Sequence, residues 1–119
     1  MDARLGNTAN PFQGKYLKAL CVCSAGLLRS PTAAWVLSQK PFNYNTRSAG
    51  LSKQYALIVV DEVLLKWAEY IICMSTDQKE ELKKRTHKDI ICLDIPDNFE
   101  FRDPKLISIL KRKFKELHL

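Results

Sequence analysis

The stretch Cys23-Ser24-Ala25-Gly26-Leu27-Leu28-Arg29-Ser30-Pro31 is where residue types and spacing in this chain together suggest chemistry. A cysteine and an arginine six positions apart are a weak signal alone, but here the cysteine closes an apolar run and Ser-Pro opens a helix. A loop running into a helix amino terminus aims successive backbone amides at one point, and such points bind anions. Wrapped into a cradle, the amides of Ser24, Ala25, Gly26, Leu27, Leu28, Arg29 and Ser30 surround an oxyanion such as phosphate. The planar Arg29 guanidinium adds two parallel hydrogen bonds that a lysine would not match. Gly26 supplies a position for left-handed backbone. The same positive field favours the thiolate of a cysteine, whose free thiol titrates at about 8.5. Cys23 is therefore expected to be an ionised nucleophile beneath the anion. Ser30 is expected to donate its hydroxyl to that sulfur, to cap the helix, or both.

Such a loop needs a buried strand before it and a helix after it. Leu17 to Cys23 is a short apolar run that stops at Ser24-Ala25-Gly26, as a strand of a parallel sheet does when it feeds a loop. Ser30-Pro31 starts a helix toward Gln39, Pro41, Asn43 and Asn45 mark a turn, and Thr46 to Ala49 is a second strand. Strand, helix and strand in about thirty residues make a βαβ unit. Residues 51 to 60 read as extended loop. Asp61 caps a short helix to about Ala68, and Tyr70 to Met74 is a third strand. Ser75 and Gln78 form a capping box for a charged helix to about Arg85. Ile90 to Leu93 is the fourth strand. Asp103-Pro104 opens a last helix, with Leu106, Ile107, Leu110 and Phe114 at helical spacing and Lys111, Arg112, Lys113 and Lys115 mostly facing water. Residues 1 to 16, rich in breakers, read as a flexible leader, so the domain is expected over residues 17 to 119.

A chain of 119 residues, 46% hydrophobic and 27% charged, has room for one core. Nineteen Lys plus Arg against thirteen Asp plus Glu give +6, which favours anionic partners without choosing among them. No apolar run approaches the roughly 18 residues a bilayer span requires. The beginning of the chain does not read as a signal peptide, so Cys21, Cys23, Cys73 and Cys92 are expected to be reduced thiols in a cytoplasm. No Cys-x-x-Cys pair is present, His87 and His118 flank basic stretches, and neither metal nor cofactor is expected. Trp35 and Trp67 read as core, and Tyr55 as core or pocket wall.

At these residues the chain resembles the low-molecular-weight protein tyrosine phosphatase family, whose signature is a strand followed by C-x5-R-S-P. Arg47-Ser48-Ala49-Gly50 is similar to that family's second-strand segment, and Trp67-Ala68-Glu69-Tyr70-Ile71-Ile72-Cys73-Met74 to its approach to the third strand. The resemblance runs from about Leu17 to the end and is strongest to a compact bacterial and phage-type branch, with Leu93 to Pro104 as its closing segment. It implies an α/β domain in three layers, a four-stranded parallel sheet of order 2-1-3-4 flanked by helices. It also implies metal-independent hydrolysis of a phosphorylated protein or small aryl phosphate through a cysteinyl phosphate. The chain departs from the family at Gly26, where Asn is usual, and at Leu28, where a second Cys is frequent. Gly keeps the backbone role but not the side-chain hydrogen bond toward Ser48, and the usual loop disulfide is lost. Cys21, two residues back along a strand, has poor geometry to replace it.

Ester cleavage also wants a carboxylic acid on a separate loop to protonate the leaving oxygen. Asp103 sits at a helix start, where a carboxylate is committed to backbone amides. Asp94 follows the fourth strand. Asp97, on the loop after Pro96, falls on the acid of the family's Asp-Pro-Tyr-Tyr loop, with Phe99 on an aromatic wall. The resemblance thus implies Asp97 as the acid, and Asn98 in place of the family's Pro keeps Asp94 as the alternative. Two other activities stay open at this point. An arsenate reductase of the same fold would need a relay of further thiols, yet Cys73 and Cys92 fall within apolar strands. A non-catalytic oxyanion or RNA-binding module would use the basic runs, though no nucleic-acid motif is present.

Overall fold

Lys18–Cys23 (β1) has Ala, Leu, Cys, Val and Cys in succession, all buried, because both faces of this strand are covered. A computed structural model describes residues 17–24, 29–54, 56, 58–96 and 98–119. After β1 come α1 (Arg29–Ser38), β2 (Asn45–Gly50), α2 (Glu62–Trp67), β3 (Tyr70–Cys73), α3 (Thr76–Lys83), β4 (Ile90–Cys92) and α4 (Pro104–Glu116). The strands form one sheet in the order β2-β1-β3-β4 with every pair parallel, as expected. The element ends lie within one or two residues of those read from the sequence. The leader expected over residues 1 to 16 lies outside the described residues, as does Tyr55.

Alternation along the strands sorts side chains into two cores. Ala19, Cys21, Cys23, Ile72 and Met74 point to one face, where Ala33, Val36 and Leu37 of α1 and Leu106, Leu110 and Phe114 of α4 cover them. Leu20, Val22, Ile71 and Cys73 point to the other, beneath Leu64 and Leu65 of α2 and Leu82 of α3. The three layers are thus α1 and α4, the sheet, and α2 and α3. Among the described residues between 51 and 60 there is no helix or strand beyond one bridge between Gly50 and Val59.

Caps fix where the later helices begin. Asp61 accepts from the Leu64 amide at 3.0 Å, and Gln78 Oε1 accepts from the Ser75 amide at 3.1 Å, closing its half of the capping box. Asp103 accepts from the Lys105 amide at 2.9 Å, with Pro104 at the first helical position. Both tryptophans pack at the edge of the cores, Trp35 against the α1 and α4 side and Trp67 against the α2 and α3 side. Trp67 is half-buried with the Arg47 guanidinium 5.0 Å from its ring centroid, and Trp35 is half-buried with that of Arg102 at 4.6 Å. In each case a cation over the ring face adds to the apolar packing. His87 and His118 are exposed.

Candidate active site

The strand order reverses direction between β1 and β3, and in open α/β sheets the crevice beyond the strand ends at such a point receives ligands. Cys23, the last residue of β1, is 3% exposed at this place. The β1–β2 ladder continues past it: the Leu51 amide donates to the Cys23 carbonyl at 3.0 Å and the Ser52 amide to the Ser24 carbonyl at 2.8 Å. The base of the loop is therefore held as firmly as the strand. Ala25, Gly26, Leu27 and Leu28 lie outside the described residues.

Where the chain is next described, Arg29 and Ser30 form the first turn of α1 and both are buried. The Cys23 thiol donates to Ser30 Oγ at 3.1 Å, and the Ser30 hydroxyl reaches the Ala49 carbonyl of β2 at 3.4 Å. With sulfur ionised, the same contact is available for the hydroxyl to donate to Cys23. Ser30 lies inside the helix with its hydroxyl committed to Cys23 and Ala49, so it serves the sulfur and not as a helix cap. Ser48 stands half-buried on β2, in register with Cys21. Cys21 is fully buried on the same face as Cys23, and burial followed by the nearby Cys23 pushes its thiol well above the ordinary range. It is a proton-holding core residue.

Arg29 reaches across the crevice, and its Nη1 donates to the Ile95 carbonyl at 2.8 Å. Ile95 belongs to the segment after β4, which β3 also holds, since the Leu93 amide donates to the Cys73 carbonyl at 2.9 Å and the Ile95 amide to that of Met74 at 2.7 Å. Asp94, between these two tied residues, has φ 55°, a left-handed geometry that aspartate tolerates better than most side chains. That turn leaves Asp94 exposed on the wall of a cleft of about 530 Å³, shared with Ser24, Arg29, Ser75, Asp77 and Gln78. Farther along, the Arg102 amide donates to Thr32 Oγ1 of α1 at 2.9 Å. The segment from 93 to 103 is thus fastened to the first turn of α1 at both ends. Asp97, within it, lies outside the described residues. Phe99 packs half-buried against the α1 and α4 core.

Two participants had no clear signal in the sequence. Gln78 is 3% exposed; its Oε1 accepts from the Met74 amide at 2.7 Å while its Nε2 donates to Ser24 Oγ at 3.3 Å. Its capping role was legible, its reach to the loop was not. The Ile95 carbonyl that anchors Arg29 is a backbone group that no residue type announces. Among the described residues no group of three or more His, Cys, Asp or Glu is arranged to hold a metal ion.

No protein-family model and no curated protein matches this sequence. Solved structures do match its fold. A low-molecular-weight protein tyrosine phosphatase from T. tengcongensis superposes with a TM-score of 0.71 at 20% identity, over 85% of this chain and 97% of the other. Wzb of Vibrio vulnificus, solved with benzylphosphonate, gives 0.69 at 16% identity over 86% and 97%. The YwlE arginine phosphatase of Geobacillus stearothermophilus gives 0.67 at 19% identity over 86% and 93%. At such identities the likeness establishes a shared fold, the sheet order and layers described above.

Proposed function

We propose that the chain is a cysteine-dependent phosphomonoester hydrolase of the low-molecular-weight protein tyrosine phosphatase type, acting on a phosphorylated protein or a small aryl phosphate. The observation that carries this reading is the Cys23–Ser30 hydrogen bond at the strand switch point, next in the chain to an Arg29 that lines the cleft and fastens its far wall at Ile95. The phosphatases that share the fold support it, as does the C-x5-R-S-P spacing.

The thiolate of Cys23 attacks phosphorus and a sulfur–phosphorus bond forms as the ester oxygen leaves with a proton from Asp97, the acid the sequence resemblance implies. Water then attacks the cysteinyl phosphate, giving up a proton to the same carboxylate, and inorganic phosphate departs while sulfur recovers its electron pair. Arg29 and the loop amides from Ser24 to Ser30 stabilise the equatorial oxygens in both steps. Ser30, at 3.1 Å, stabilises the sulfur anion as it leaves.

Asp94 gives a second reading of the acid, because it lines the cleft directly. The other activities find less support. Cys73 and Cys92 lie against the sheet face opposite Cys23, an arrangement that suits hydrolysis better than a thiol relay to arsenate. The basic runs are exposed helix faces and carry no nucleic-acid motif. The four free cysteines fit a cytoplasmic setting, and no described helix is long and apolar enough to cross a membrane.

Replacing Cys23 with Ser tests the assignment. Turnover of an aryl phosphate should fall at least about a thousandfold, while the wild type should be indifferent to EDTA. Retained turnover in the variant would overturn the reading.

A further inference from the structure

Three of the four cysteines take no part in the proposed reaction, and the sheet sets two of them, Cys73 and Cys92, side by side. Cys73 ends β3, Cys92 ends β4, and the two are register partners across the parallel pair. Both belong to the α2 and α3 face, Cys73 inside that core and Cys92 packed against it. Adjacent strands lie about 4.8 Å apart, within the Cα separations that disulfides span. Cys73 is fully buried, whereas Cys92 is half-buried on an edge strand and so reaches solvent.

We propose that Cys73 and Cys92 are a redox modification site, forming a reversible disulfide when the protein meets a peroxide. The Cys92 sulfur attacks one peroxide oxygen, the O–O bond breaks, and water leaves a sulfenic acid behind. The Cys73 sulfur then attacks the Cys92 sulfur, the S–S bond forms, the S–O bond breaks, and a second water departs. Two thiols and one hydrogen peroxide become one disulfide and two waters. Entry is at Cys92 because of its access to solvent; burial, followed by the neighbouring Cys92, pushes the Cys73 thiol up to about 12, so Cys73 is the poorer first nucleophile toward peroxide. The event is felt at the cleft. The Cys73 thiol donates to the Ser75 carbonyl at 3.4 Å, and Ser75 lines the cleft wall, so the disulfide removes that hydrogen bond.

The test exposes the full chain to hydrogen peroxide, unfolds it in the presence of an alkylating reagent, and maps the digested peptides by mass. The expected result is a Cys73–Cys92 linked peptide, reversed by dithiothreitol and formed equally well in Cys23→Ser. In Cys92→Ser, Cys73 should be recovered alkylated. Recovery of both cysteines alkylated in the wild type, a link from either one to Cys21 or Cys23, or undiminished oxidation of Cys73 in Cys92→Ser would overturn the proposal. The readout is a covalent bond, so it succeeds or fails independently of whether the chain hydrolyses phosphate esters.

Discussion

Asp94 and Asp97 compete for one proton transfer, and their substitution separates them. The acid must carry its proton when the ester oxygen leaves, so the rate falls as pH rises through its pKa, and removing the acid removes that alkaline limb. With an aryl phosphate of poor leaving group, Asp97→Asn should lower kcat by about 10² to 10⁴-fold and flatten the limb, while Asp94→Asn should keep both. The reverse pattern, read from kcat against pH in the two variants, would assign the proton to Asp94. At this scale the sequence was informative where side-chain chemistry names itself, as with Cys23, Arg29 and the Asp103 cap. It was silent on the Ile95 carbonyl, because only the fold brings that group to Arg29. Ser30 misled in part, since a serine before proline is a usual helix cap, and here tertiary contact with Cys23 and Ala49 claims the hydroxyl.

Among the elements, α4 holds the cleft side of the molecule together from behind. Leu106, Leu110 and Phe114 are fully buried against the face that carries Cys21 and Cys23. The Phe114 ring meets Phe42 edge to face at 5.7 Å. Phe114→Ala should cost about 3 to 5 kcal/mol of stability, seen as a lower urea midpoint with an unchanged slope. A loss under about 1 kcal/mol would mean that the site collapses around the gap or that α4 packs elsewhere. The elements were legible because each obeys a single local rule: apolar runs for strands covered on both faces, caps and helical spacing for α2, α3 and α4. Their ends shifted by a residue or two because hydrogen bonds with neighbours, not local composition, decide where a strand stops. The pairing of Cys73 with Cys92 lay beyond local reading, since it depends on the alignment of β3 against β4.

For the molecule as a whole, the buried thiols make stability depend on pH. In the folded chain burial raises Cys21, and raises Cys73 to about 12, whereas an unfolded thiol titrates at about 8.5. Above that value the unfolded chain releases protons that the folded chain retains, so the stability contributed by burial is complete below about pH 8.5 and is lost as pH rises toward the folded values. Each such thiol should remove up to about 1.4 kcal/mol per pH unit in this window. Urea midpoints should therefore fall steadily on the alkaline side, and less steeply in Cys73→Ala; identical slopes would contradict the burial of this thiol. The overall architecture followed from alternating strands and helices together with the family resemblance. The cleft did not, because its walls come from the ends of three different strands.

The claim on which the rest depends is that Cys23 becomes covalently phosphorylated during turnover. Rapid acid quenching of the enzyme with an aryl phosphate, followed by peptide mass mapping, measures this directly. One added phosphoryl group is expected on the peptide containing Cys23, more abundant in Asp97→Asn with an activated leaving group because hydrolysis of the intermediate is slowed. Turnover without any phosphoryl group on Cys23, or with the group on another residue, would contradict it.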